Sequence, residues 1–169
     1  RTHRCYFGGG TAIVLRNGEY RESADIDFLV SDVDGYRELR ELLTGAAGIG
    51  AITDLPLKQL RDIRADQYGI RTLLDVDGAP IKLEIIHEGR ITLDIPGTAD
   101  QVCGITTLSP LDMAASKLLA NADRWADRST FSRDLLDLAL LAPPRPLLDA
   151  AIGKAATAYG NSIERCLSS

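Results

Sequence analysis

Gly8-Gly9-Gly10-Thr11, then thirteen residues, then Asp25-Ile26-Asp27-Phe28 is the stretch that decides how this 169-residue chain reads. Side chains on a strand alternate between faces, so Asp25 and Asp27 share one face while Ile26 and Phe28 turn into the core. Two carboxylates so placed repel, and at least one pKa rises unless a cation sits between them. Mg2+ is the natural cation, being hard, oxygen-loving and usually shared with substrate phosphates. The glycine loop ahead of a helix supplies the other part of such a site. Its bare N–H groups and the positive end of the helix cradle phosphates that side chains would obstruct.

A third acid is expected, and Glu84 in Ile81-Lys82-Leu83-Glu84-Ile85-Ile86 is the best candidate. It interrupts an otherwise apolar strand, where an uncompensated carboxylate is expensive; a strand-edge acid facing solvent is the alternative. Two metal ions roughly 4 Å apart would then activate an attacking hydroxyl and steady a departing pyrophosphate. Asp-x-Asp also occurs at Asp32/Asp34 and Asp75/Asp77, but there helix capping and turn formation explain it. Only Asp25 and Asp27 lie inside an apolar strand.

Working outward, Phe7 to Gly10 reads as a loop, and Thr11 to Leu15 as a short helix ending near Asn17-Gly18. Ala24 to Val30 is a strand. Ser31 and Asp32 cap a helix carrying Tyr36, Leu39, Leu42 and Leu43 at helical spacing. Tyr68 to Val76 and Ala79 to Ile86 flank Asp77-Gly78, a dipeptide suited to a hairpin. Ile91 to Ile95 and Val102 to Thr106 are shorter strand candidates. Ser109-Pro110-Leu111-Asp112 opens a helix with an N-cap, a proline at the first position and an acid at the third. A second helix covers about residues 130 to 141 and ends at Pro143, Pro144 and Pro146. A last one runs from Leu147 toward Cys166, weakened by Gly153 and Gly160. The expected fold is mixed α/β (α+β): residues 1–108 form a mixed sheet flanked by helices, and 109–169 a helical portion packed on it.

Composition agrees with one folded unit. Apolar residues make up 45% and charged residues 25%, which excludes a disordered chain. The net charge of −5 argues against a strongly basic nucleic-acid binder but leaves room for a local patch. No run is long enough to cross a bilayer, and three scattered cysteines build neither a disulfide framework nor a thiolate zinc site. The expected setting is the cytoplasm, without membrane contact. The chain opens at Arg1 without methionine, and only seven residues precede the glycines, so a trimmed N-terminus or a compact variant is expected.

These residues resemble the nucleotidyltransferase superfamily, whose signature is a Gly-Ser variant followed by a strand Asp-x-Asp. More narrowly, Gly9-Gly10-Thr11-Ala12 with Arg21-Glu22-Ser23-Ala24-Asp25-Ile26-Asp27-Phe28 is similar to the AbiEii/AbiGii toxin family of nucleotidyltransferases. Lys117 in Ser116-Lys117-Leu118-Leu119 and the pair Arg133-Asp134 match that family's later helical lysine and Arg-Asp pair. The resemblance implies a minimal nucleotidyltransferase fold in which Asp25, Asp27 and Glu84 hold Mg2+, with two ions expected. It implies that Gly9, Gly10 and Thr11 hold the triphosphate, that Arg21 and Ser23 touch phosphate or fix the metal strand, and that Lys117 reaches the phosphates. Asp134 would position Lys117 or form a structural salt bridge with Lys117, Arg124, Arg128 or Arg133. The implied partners are a nucleoside triphosphate, an RNA (tRNA end) or protein acceptor, and a cognate antitoxin.

Other features carry less. Asp137 is expected to pair with Arg133 one turn away, His87 to lie at the surface, and Trp125 to anchor the rear helices. Lys58, Arg61 and Arg64 form either a small basic edge for an RNA backbone or a plain solvated face. Two rival functions stay open: transfer to a small hydroxylated antibiotic, and a relic that binds nucleotide or a partner protein without transfer.

Overall fold

The structure, a computed structural model, describes residues 3–126 and 133–167. Strands β1 (Cys5–Gly8), β2 (Asp25–Val30), β3 (Lys58–Ala65), β4 (Gly69–Val76) and β5 (Ala79–His87) form one sheet in the order β1-β2-β5-β4-β3. β2 and β5 run parallel, and the other neighbours are antiparallel, so the sheet is mixed. Helix α1 (Gly9–Arg16) leads from β1 toward β2, and α2 (Val33–Thr44) lies in the crossover between β2 and the β3–β4–β5 meander. A two-residue hairpin, β6 (Gln101–Val102) and β7 (Ile105–Thr106), precedes helices α3 (Pro110–Arg124), α4 (Arg133–Leu141), α5 (Arg145–Tyr159) and α6 (Ser162–Leu167). The fold is mixed α/β, a five-stranded sheet flanked by helices.

Alternation along β2 divides the core. Val30, with Ile70 and Ile85 from β4 and β5, packs on Tyr36, Leu39 and Leu43 of α2. Leu29 points the other way, into the larger cluster built by Ile13 of α1, Met113 and Leu118 of α3, and Ala151 and Ala155 of α5. α1, α3 and α5 therefore cover the face of β2 that carries Leu29, and Asp25 and Asp27 stand on that same face, beyond the apolar contact. Asp32 caps α2 by accepting from Gly35 N at 2.7 Å, which contributes about 1 kcal/mol. Ser109 caps α3 with Pro110 in its first turn. A clip joins α5 to α3, in which Lys154 Nζ lies 2.5 Å from the buried Asp112 and 3.1 Å from the exposed Asp94.

Several sequence expectations give way. Phe7 and Gly8 belong to β1 rather than to a loop, because β1 pairs with β2 along its whole length. Residues 91 to 95 form no strand, yet Ile91 and Leu93 are buried; Leu93 N is satisfied by Ser31 Oγ instead of by a ladder. Val102 to Thr106 is interrupted by Cys103 and Gly104, both with positive φ, and becomes the β6–β7 turn. The last helix divides at Gly160 (φ 55°) into α5 and α6, and α5 starts at Arg145 with Pro146 in its first turn. Leu42 is 40% exposed and Trp125 58% exposed, so neither anchors the core. β3 escaped the sequence reading because it is bulged between Gln59 and Arg61 and again between Arg61 and Arg64, which destroys the period of two. Arg128 and the residues 130–132 expected to open α4 lie outside the described residues.

Candidate active site

Parallel pairing of β2 with β5 places Asp25 opposite Lys82 and Asp27 opposite Glu84. Residues in register share a face, so the three acids of the sequence reading stand together on it with Lys82 between them. Antiparallel pairing with β4 then sets Arg71 opposite Glu84. Both oxygens of Glu84 are taken: Arg71 Nε donates to one at 2.6 Å and Lys82 Nζ to the other at 2.5 Å. Burial pushes the Glu84 carboxyl up, but these two cations outweigh it and hold it below the usual range.

Among the described residues Asp27 has no such partner. Burial, then the neighbouring Glu84 and Asp25 carboxylates, push it up to about 6 against the weaker pull of Lys82 and Lys117. Burial first and the neighbouring carboxylates second disfavour a bare charge on Asp27, and Asp25 with Asp27, two hard oxygen donors on one face, fit a hard divalent cation. Glu84 fits less directly, since Arg71 and Lys82 must yield before it can ligate. Among the described residues no group of three His, Cys, Asp or Glu side chains stands in a metal-holding arrangement.

The Asp27 carboxylate lies against the first residue of α1. A Cβ at Gly9, where φ is 67°, would fall on Asp27 Oδ2 and come within 2.8 Å of Asp27 Cβ. A Cβ at Gly10 would collide with the Arg21 guanidinium. α1 has no side-chain cap and no acid in its first turn, so its leading N–H groups remain available to an anion. Gly9→Ala is expected to lower stability by about 1–3 kcal/mol through left-handed backbone strain and displacement of Asp27. Urea unfolding checks this, and an unchanged midpoint would show that Asp27 moves aside freely.

The opposite wall comes from the helices. Lys117 of α3 is 7% exposed and reaches Asp134 at 3.2 Å and Asp137 at 2.7 Å. Arg124 also holds Asp134, at 2.6 Å. Asp137 is fully buried and accepts from Tyr20 Oη at 2.7 Å and from Arg21 Nη2 at 3.1 Å, so its partner is not Arg133 as the i, i+4 spacing suggested. Burial pushes the Asp137 carboxyl up, but Lys117, Tyr20 and Arg21 together leave it below the usual range. Lys117 sits off the leucine stripe of α3 and is buried because α4 covers that side.

Gly9, Gly10, Arg21, Ser23, Asp25, Asp27, Glu84, Lys117 and Asp134 line one hollow of about 410 Å3. Thr11 does not; its hydroxyl donates to the Asp25 carbonyl and shares a hydrogen bond with Ser23 Oγ at 2.7 Å, tying α1 to the start of β2. The hollow also holds Lys82, Arg124 and Asp137, which the sequence reading did not assign to the site. Lys82 had a signal, standing two residues before Glu84 and hence on its face. Asp137 had one as well, standing three residues after Asp134 on one side of the helix. His87 is half-buried rather than superficial, stacked on Tyr36 with ring centroids 4.6 Å apart.

The hollow thus brings the Asp25 and Asp27 carboxylates, the uncapped start of α1 and Lys117 together. The family model for the nucleotidyl transferase AbiEii toxin of type IV toxin–antitoxin systems matches residues 1–165, and the chain belongs to that family. No curated protein matches it. Among solved structures it is similar to a "putative nucleotidyltransferase from H. pylori", with 16% identity, 96% of this chain and 88% of that one covered, and a TM-score of 0.42. It is also similar to JHP933 from Helicobacter pylori, with 16% identity, 98% and 87% covered, and a TM-score of 0.38. Among the described residues no helix is long and apolar enough to cross a membrane.

Proposed function

We propose that the protein transfers a nucleoside monophosphate from a nucleoside triphosphate to a hydroxyl of a macromolecular acceptor, RNA or protein, as the toxin of a pair with a cognate antitoxin. The observation that carries this reading is the meeting of Asp27 with Gly9 at the start of α1, opposite Lys117, inside one hollow. The triphosphate would lie along the N–H groups of Gly9 and Gly10, its charge met by Lys117 and Arg21. Ser23 offers a further donor. Asp137 and Asp134 keep Lys117 extended toward the hollow rather than folded into solvent.

In the reaction the acceptor oxygen forms a bond to the α-phosphorus, the bond from that phosphorus to the bridging oxygen breaks, and pyrophosphate leaves with its electron pair. The proton of the hydroxyl passes to one of the carboxylates on the sheet face, Asp25, Asp27 or Glu84. Asp25 and Asp27 would hold Mg2+, joined by Glu84 once Arg71 and Lys82 turn to phosphate. When bound, the ions neutralise phosphate charge and lower the cost of the attacking oxygen's charge.

The test is incubation with each radiolabelled nucleoside triphosphate, Mg2+, total RNA and lysate protein. Label is expected in one macromolecular fraction, and lost with Asp25→Ala. Label in a small-molecule fraction points to the antibiotic-type transferase. Calorimetric nucleotide binding without pyrophosphate release points to a binding relic.

A further inference from the structure

The two bulges of β3 set its register in an unexpected way. Lys58 lies opposite Asp75, Arg61 opposite Leu73 and Arg64 opposite Arg71. On β4, Leu73 and Arg71 lie in turn opposite Lys82 and Glu84 of β5, which pair with Asp25 and Asp27 of β2. In a regular strand, residues three apart face opposite ways. Each bulge adds one residue, so Lys58, Arg61 and Arg64 all come to the face that carries the acids, while Ile63 and Ala65 pack under the sheet with α2.

The three cations are exposed, and among the described residues none of them makes an ion pair, whereas Arg71 and Lys82 are held by Glu84. Arg61 and Arg64, though not Lys58, line a groove of about 710 Å3 with Arg71, Leu73 and Lys82, and Asp62 is its one acid. Lys82 also lines the hollow of the candidate active site, so the two depressions adjoin. Against a net charge of −5, a face carrying three exposed cations without ion-pair partners among the described residues is a local site of attraction for polyanions.

We propose that this face is the docking strip for the phosphate backbone of an RNA whose terminal hydroxyl lies over Asp25 and Asp27, which rests on the transferase reading above. β3 stands three strand spacings, roughly 14 Å, from β2, so the strip holds the backbone back from the reacting end. Charges on a sheet edge also serve to prevent aggregation, but that purpose needs no common face. A protein adding a strand to β3 is disfavoured, because the bulges break the edge such a strand would need.

The test combines Lys58→Gln, Arg61→Gln and Arg64→Gln in one chain and measures binding of a short oligouridine and of bulk small bacterial RNA by fluorescence anisotropy across salt concentrations, without nucleotide. All three side chains are solvent-exposed, so the fold is kept, and a thermal melt verifies it. The slope of log affinity against log salt is expected to fall by about 2 to 3, one unit or slightly less for each lost phosphate contact. Nucleotide affinity by calorimetry stays at the parental value. Arg37→Gln with Arg40→Gln, on α2 under the other face, is expected to leave the slope nearly intact. The proposal is overturned if the parent binds neither RNA, if the slope is unchanged, or if the α2 variant loses as much. Loss of label transfer to a protein with RNA binding intact also overturns it and marks a protein partner. A slope that falls as expected in a chain that labels nothing supports the strip while removing the transferase reading. Undiminished RNA labelling and RNA affinity do the reverse.

Discussion

Asp27→Asn is expected to abolish label transfer while making the metal-free protein more stable at pH 7. The two effects have one cause. The folded protein raises Asp27 from the usual 3.8 to about 6, through burial first and then through Glu84 and Asp25. Its protonated form is therefore the one the fold favours. Stability from this group is complete below about 4, declines as pH rises toward 6, and becomes a cost above it. At pH 7 the ionised Asp27 costs at most about 3 kcal/mol, which the asparagine relieves. Paired urea titrations at pH 4 and pH 7 measure this. The variant should gain most at pH 7 and nearly nothing at pH 4, and Mg2+ should stabilise the parent more than the variant. Equal stability of parent and variant at both pH values would mean that a counter-charge already sits beside Asp27.

Asp137→Ala is expected to act in the opposite direction and more strongly. Removing that fully buried carboxylate strands Arg21 and takes from Lys117 the closer of its two partners, at 2.7 Å. Breaking one side of a buried ion pair costs about 3–5 kcal/mol. The pH dependence is the mirror image of Asp27. Because the folded protein holds Asp137 below the usual carboxylate range, its contribution is complete above about 4 and is lost as pH falls through the folded value. Asp137→Asn keeps the hydrogen bonds in part, so it should fall between alanine and parent and flatten the acid limb of the stability curve. A melting midpoint for Asp137→Ala equal to the parent's would show that Lys117 and Arg21 find other partners.

What could be read from sequence is what neighbours along the chain determine. β2 declares itself by alternation, the β4–β5 turn by Asp77-Gly78 with positive φ at both residues, and α3 by the Ser109 cap with Pro110 behind it. Asp25, Asp27 and Glu84 were legible because acids in apolar strands stand out, and the parallel ladder brings them onto one face. What stayed hidden depends on partners far away. Tyr20 and Arg21 meet Asp137 across more than a hundred residues, and nothing near either end announces it. Glu84's engagement by Arg71 follows from strand pairing, not from local pattern. β3 was missed because its bulges replace the expected period of two with a period of three, the same irregularity that aligns its cations.

The tie from Asp137 to Tyr20 and Arg21 also bears on how the protein comes into being. The glycine segment and the first acids come early in the order of the chain, whereas the residue that clamps their flank, Asp137, follows Arg21 by 116 residues. A product ending before α4 would carry Asp25, Asp27 and Glu84 of the sheet and still lack the anchor for Arg21 and Lys117. On the transferase reading proposed above, such a truncated product is expected to transfer no label, because Arg21 and Lys117 lose the carboxylate that orients both.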